Sequence, residues 1–218
     1  MRLILIDRSA EIRFNFFPLA LGRPLWELRC GMSCLKEKLV AKIKPDDVAY
    51  FVPDYMAEHY RKQASGPVND ASALSGADLI IVDPLVKAGD FNVAAKGKSE
   101  IGLNEDGRVI YARISKGDAK RFSSRDIEGF IASAKAGLPG VVCKVPTWQY
   151  TWDLVLANPE QITAEFSAAD RSGIDGAVEE ALDLFFESRN IYGAEGKAKI
   201  RAEVLELARQ PVFDYSAV

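Results

Sequence analysis

Two aspartates and two arginines carry most of the chemistry this sequence can offer. Asp7 ends the apolar run 3–6, Asp83 ends a second run at 79–82, and Arg13 and Arg23 stand in the segment that follows the first. A loop bearing arginines can grip phosphate through forked N–H donors, and a carboxylate opposite can hold Mg²⁺ between phosphate oxygens. Each residue also has a plainer reading. A polar residue often only marks a strand's exit into a loop, and the arginines could pair with Glu11 or Glu27. Lys144, before Pro146, could reach a phosphate or be a solvated strand end. Trp26, Trp148 and Trp152 could stack on a base or sugar, although large aromatics commonly serve the core. Other catalytic resources are scarce. His59 is the only histidine, and Cys30, Cys34 and Cys143 form no CxxC, so a zinc site or a His-dependent triad has little to work with. The thiols are expected to be buried and reduced, as in cytoplasm.

Alternating elements place these residues at one edge of a sheet. Runs 3–6 and 79–82 read as strands covered on both faces, and 48–52 as a third. Between the first two strands, Met32, Leu35, Leu39, Val40 and Ile43 fall at helical spacing opposite Lys36, Glu37, Lys38 and Lys42. A polar helix holding His59 runs from Pro53-Asp54 to about Ala64. Strand, helix, strand, helix, strand predicts an α/β fold: a Rossmann-like, mostly parallel sheet flanked by helices, with ligands beyond the carboxyl ends of its strands. The segment 8–31, rich in Phe and Leu, is expected to fold over those ends as an ordered loop.

Further along, Asn104-Glu105-Asp106-Gly107 suits the turn of a small hairpin insertion between 100–103 and 109–114. Ser123 with Asp126 suits a capping box for a helix closed by Gly137. Residues 141–145 read as extended and 148–157 as helical. Asn158 would then cap a second helix with Pro159 in its first turn, and 174–188 reads as one more amphipathic helix. Ile200, Ala202, Val204 and Leu207 form a short alternating run. One domain is expected over 1–190 and a C-terminal extension over 191–218, as in a domain excised from a longer protein.

With 218 residues, 48% of them hydrophobic, the chain can bury a sizeable core. A net charge of −3 leaves no excess of cations to displace counterions from nucleic acid. The apolar N-terminal run is too short for a signal peptide or a membrane span. A cytoplasmic protein without a nucleic-acid or membrane partner is therefore expected. No GxGxxG follows the first strand, which argues against a dinucleotide-binding oxidoreductase.

Arg13, Asn15, Pro18-Leu19 and Arg23-Pro24, then Glu27-Leu28, Gly31 and Leu35-Lys36-Glu37-Lys38, resemble the N-terminal signature of a divergent sugar-nucleotidyltransferase family. That family is similar to the uridylyltransferase domain of bifunctional N-acetylglucosamine-1-phosphate uridylyltransferase. Tyr150-Thr151-Trp152-Asp153-Leu154, with Asn158 and residues 162–166, carry a second patch of the resemblance. It implies a nucleotide-diphospho-sugar transferase-like fold in which a sugar 1-phosphate attacks the α-phosphorus of a nucleoside triphosphate. Pyrophosphate leaves, and Mg²⁺ neutralises charge. Carried over by position, Arg13 and Arg23 become the catalytic residues facing phosphates, and Asn15, Lys144 and Trp152 substrate-binding residues. Asp83 with Asp153, or else Asn158, would be the metal ligands. The resemblance further implies that a left-handed β-helix of acyltransferase type begins in 191–218 and supports a homo-oligomer. Two features depart from the common signature. Residues 8–12 contain no glycine, which would let backbone N–H groups approach a triphosphate, and Leu25 stands after Pro24 in place of a lysine. The alternative function is a catalytically degenerate sugar-nucleotide-binding or scaffold domain attached to a β-helix acyltransferase.

Overall fold

Strict alternation along the strands builds two core layers, one on each face of a single sheet. Leu3, Leu5, Tyr50, Val52, Ile80 and Val82 fall in one cluster, and Ile4, Ala49, Phe51, Leu79 and Ile81 in the other. In the computed structural model, residues 1–7, 10–94, 96–122, 126–169 and 198–202 are described. The chain divides into two compact units, Met1–Thr163 and Ala164–Val218, and the six strands found among the described residues belong to the first. The described elements run β1 (Arg2–Ile6), α1 (Ala10–Phe14), α2 (Leu35–Ile43), β2 (Asp47–Phe51), α3 (Asp54–Arg61), β3 (Leu79–Val82), β4 (Glu100–Leu103), β5 (Val109–Ile114), α4 (Lys116–Ala119), α5 (Ile127–Gly137), β6 (Gly140–Val142) and α6 (Thr151–Ala168).

The sheet order is β2-β1-β3-β5-β4-β6. β1 lies between β2 and β3 and is parallel to both, with Leu3 opposite Val48 on one side and Ile80 on the other. The three expected strands are thus parallel in one sheet. The hairpin continues that sheet: β5 pairs antiparallel with β3, and β4 antiparallel with β5. This order brings the start of β5 beside the carboxyl end of β3, where the Asp83 N–H donates to the Ile110 carbonyl at 2.8 Å. Leu39 of α2 and Met56, Ala57 and Tyr60 of α3 join one core layer; Phe130 and Ala134 of α5 join the other. Each large apolar side chain so buried contributes about 1.5–3 kcal/mol, and a one-residue slip would turn every one to the wrong face.

Gly102 of β4 stands against Tyr111 of β5. A Cβ there would lie 2.1 Å from ring atom Cε1, and the ring is held by its hydroxyl, which donates to Glu100 Oε1 at 2.6 Å. Gly102→Ala is expected to lower stability by about 1–3 kcal/mol, the usual cost of overpacking, read from the urea midpoint. An unchanged midpoint would mean that Tyr111 moves aside freely.

α2 begins at Leu35, three residues later than the apolar spacing suggests, because the Cys34 N–H is taken by Glu37 Oε2 at 2.7 Å in a capping box. That bond holds the Glu37 carboxyl below its ordinary value of 4.5. A carboxyl lowered on folding adds stability above its unfolded pKa and loses it as pH falls through the folded value. Glu37→Ala should therefore cost about 0.5–1 kcal/mol at pH 7 and soften the acid limb of the stability curve below pH 4.5. An acid limb identical to that of the parent chain would exclude this role.

Several local expectations change. One helix, α6, runs through Pro159 where two helices were expected. The carbonyl that proline leaves without a donor belongs to Val155, which is exposed, so water can satisfy it. Asn158 is consequently not a cap: its Oδ1 accepts the Gly31 N–H at 2.7 Å. Asp126 is itself the N-cap of α5, accepting from the Gly129 N–H, rather than the partner three residues into the helix that a box with Ser123 called for; Ser123 lies outside the described residues. The expected helix at 174–188 and the boundary near 190 also lie outside them. Residues 198–202 are helical, where the alternating run suggested an extended segment, and the rest of 191–218 is not among the described residues. No described helix is long and apolar enough to cross a membrane.

Candidate active site

The carboxyl ends of β1, β2 and β3 open into two adjoining cavities. The larger, about 660 Å³, is lined by Asp7, Arg13, Tyr55, Asn69, Asp126 and Glu128, among others. The smaller, about 380 Å³, lies against Asp83, Arg108, Ile131 and Lys135. Ile6, Asp7 and Glu128 line both. A third cavity, about 630 Å³, shares only Tyr55 with the larger one and holds Arg23, Arg29, Glu37, His59 and Tyr60.

Arg13 is only 3% exposed. It donates to the Asp7 carboxylate and the Ala20 carbonyl, and to the Tyr55 hydroxyl at 2.9 Å. The Asp7 side chain has no exposure at all. A guanidinium and a carboxylate can share such a place because each offsets the other's desolvation. The pair pins α1 and the following loop over the end of β1, and Arg13 takes Asp7 rather than Glu11 as its carboxylate.

The loop after α1 has its own core. Phe16, Ala20, Leu25, Leu28 and Cys30 cluster with Leu85, Trp148 and Leu154. The Asn15 carbonyl accepts from both the N–H and the hydroxyl of Thr151, each at 3.2 Å. The two patches that carry the resemblance, far apart in sequence, therefore meet as one packed unit. Trp26 and Trp148 are core residues, and the Trp26 indole N–H donates to the Tyr60 hydroxyl at 2.7 Å. That hydroxyl in turn donates to Glu27 at 2.8 Å, and burial pushes its pKa far up, so it remains a donor.

The structure does not gather all the residues expected at the site. Arg13, Arg23 and Asp83 were expected in one cleft. Arg13 lines the larger cavity, Asp83 the smaller, and Arg23 the third. Arg23 is set apart because Pro24 and the turn Leu25–Glu27 carry it toward α3. Lys144 is exposed, Trp152 is 57% exposed and stacks on Tyr150 at 4.3 Å, and neither lines any of the three cavities.

Asp83 and Asp153 are not brought together as a metal pair. Asp153 Oδ2 accepts the N–H groups of Gln149 and Tyr150 at 2.8 and 3.0 Å, closing the first turn of α6. Asp83 has a fully buried side chain; Oδ1 accepts the Leu85 N–H at 3.0 Å and Oδ2 lies 3.6 Å from Arg108 Nη2. A resident Mg²⁺ needs several accessible oxygens in octahedral array, and a buried carboxylate facing a guanidinium does not fit that demand. Among the described residues, no group of three or more His, Cys, Asp or Glu could hold a metal ion.

Several lining residues escaped the sequence reading, among them Tyr55, Asn69, Arg108, Glu128 and Lys135. Arg108 follows the Asp106-Gly107 turn, and only the pairing of β5 with β3 brings it to Asp83. Its Nη2 donates to Thr147 Oγ1 at 2.9 Å, and burial lowers its pKa, with Asp106 offsetting part of the shift.

The family described as sugar nucleotidyl transferase matches residues 3–172. The chain belongs to this family. The matched span takes in the covering loop, nearly all of β1, the whole of β2 and β3, and α6 from end to end, hence both cavities at the carboxyl edge. Two solved structures are similar to this chain. Molybdopterin-guanine dinucleotide biosynthesis protein A from Archaeoglobus fulgidus is 13% identical, with 76% of this chain and 100% of that chain covered, at a TM-score of 0.42. CTP:phosphocholine cytidylyltransferase from Streptococcus pneumoniae is 10% identical, with 73% and 98% covered, at a TM-score of 0.45. No curated protein matches the chain.

Proposed function

We propose that the two adjoining cavities bind a nucleoside triphosphate and a sugar 1-phosphate and join them into a nucleotide sugar. An oxygen of the sugar phosphate attacks the α-phosphorus. As that P–O bond forms, the bond from the α-phosphorus to the bridging oxygen breaks, and pyrophosphate leaves with the oxygen and its electron pair. The observation that carries this reading is the shared wall: Ile6, Asp7 and Glu128 line both cavities, so two phosphorylated ligands can meet there. Both volumes fall in the range of small-molecule sites, about 300–1,000 Å³. Such transfer rests on positioning and electrostatics rather than on a covalent nucleophile. Mg²⁺ enters with the triphosphate as part of the substrate, since Asp83 and Asp153 are engaged within the protein. Use of a free nucleoside triphosphate places the reaction in the cytoplasm.

One observation favours a second reading. The donors of Arg13 go to Asp7, Ala20 and Tyr55, and residues 8–12 hold no glycine. A degenerate domain that binds a nucleotide sugar and supports an attached β-helix acyltransferase, oligomerising through it, would keep the same cleft without turnover. Backbone amide NMR during titration with UTP, then glucose 1-phosphate, locates the ligands under either reading. Shifts are expected around Asp7, Asn69, Gly107 and Glu128. Shifts confined to the surroundings of Arg23 and His59 would move the site to the third cavity and contradict this assignment.

A further inference from the structure

Arg108 is a half-buried cation whose donors are only partly used. Of its side-chain N–H groups, Nη2 has a hydrogen bond, to Thr147 Oγ1 at 2.9 Å. The Asp83 carboxylate lies at 3.6 Å, beyond hydrogen-bond length, and Nε is buried with no hydrogen-bond partner among the described residues. A buried charged donor without an acceptor is costly, and the acceptor that repays it best is an anionic oxygen. Arg108 lines the smaller cavity together with Lys135, whose ammonium donates to the Gly107 carbonyl at 2.8 Å and has two further protons to offer. The acidic groups of this cavity are Asp7, which Arg13 offsets, Asp83, which faces Arg108, and Glu128, exposed at the junction with the larger cavity.

We propose that Arg108 and Lys135 form an oxyanion subsite in the cavity between β3, β5 and α5, and that it receives a phosphate group of the substrates. The assignment rests on the reading of the carboxyl-edge cleft as the nucleotidyl-transfer site, and it names the residues that hold one phosphate there. Asp83 is then a positioning residue that holds the guanidinium in place. The phosphate has two sources, the sugar 1-phosphate and the triphosphate, and both offer the same oxyanion.

The Arg108 Nε–H resonance reads the subsite directly in the intact chain. It is assigned by comparison with Arg108→Lys, which keeps the charge but lacks that group. Inorganic phosphate, glucose 1-phosphate and UTP are titrated in separate samples. The expected result is a downfield shift of the Nε–H proton that saturates with each probe, at the lowest concentration for the compound that supplies the phosphate. Arg108→Gln should weaken that compound's binding at least about tenfold, while Arg121→Gln, an exposed control, leaves it unchanged. An Nε–H resonance that stays still while amides elsewhere in the cleft respond would overturn the subsite without touching the proposed function. A responding Nε–H in a chain without turnover supports the subsite and counts against the proposed function instead. Unfolding of Arg108→Gln would not obscure the outcome, because the resonance is read in the parent protein.

Discussion

Arg13→Met is expected to lower stability by about 3–5 kcal/mol, the cost of breaking a buried ion pair by removing one partner. The substitution keeps side-chain volume, so the loss reports charge and hydrogen bonds rather than a cavity. Asp7 would keep a fully buried carboxylate without the guanidinium, and the Ala20 carbonyl and Tyr55 hydroxyl would lose their shared donor. Removing both charges, as in Arg13→Met with Asp7→Leu, should recover most of the loss, since a well-packed apolar pair often equals a buried ionic one. Arg23→Ala, at an exposed position, should fall within about 0.5 kcal/mol of the parent. Urea unfolding measures all three. A loss below about 1 kcal/mol for Arg13→Met would show that the pair does not hold the loop, and would return Arg13 to the role of a phosphate ligand.

Asp83→Asn should lower kcat about 100-fold and stability by about 1–3 kcal/mol. The amide oxygen still accepts the Leu85 N–H, so the turn after β3 survives. The negative charge opposite Arg108 is gone, leaving that guanidinium only its bond to Thr147. A misplaced Arg108 misplaces the phosphate, and small errors of position cost rate steeply. Read from sequence, a strand-end aspartate should matter little to folding; its burial gives it structural weight as well. Steady-state rates and a thermal melt on the same preparation separate the two effects. Parent-like turnover in Asp83→Asn would remove Asp83 from the site altogether.

Much of the scaffold was legible because it is encoded locally. The short uninterrupted apolar runs at 3–6, 48–52 and 79–82 read as buried strands by their length and β-branched content, and the intervening helices favour parallel pairing. The hairpin turn was legible too, but its partner was not: nothing near residues 100–114 says that β5 will add to β3. Arg108 was missed for that reason. The fate of Arg13 was hidden similarly, since its neighbours in sequence include Glu11 while its neighbour in space is Asp7. Pro159 misled because a proline removes one helix hydrogen bond and crowds the carbonyl four residues back, while the exposure at Val155 that lets water take up that carbonyl is a tertiary fact. Asp153 looked like a ligand and is a helix-start acceptor, which short-range spacing could have shown, because Gln149 and Tyr150 immediately precede α6.

Transfer of label from the α-phosphorus tests the central claim most directly. The intact chain is incubated with Mg²⁺, a nucleoside triphosphate labelled at that position and a sugar 1-phosphate, and the products are separated. The base and the sugar are each varied in turn. Nucleotidyl transfer at this cleft predicts that, for at least one pairing, label moves into a nucleotide sugar while unlabelled pyrophosphate appears in equal amount. Label that stays in the triphosphate in every pairing, in a folded chain that binds both substrates at the carboxyl edge, would contradict it and leave a binding domain in place of an enzyme.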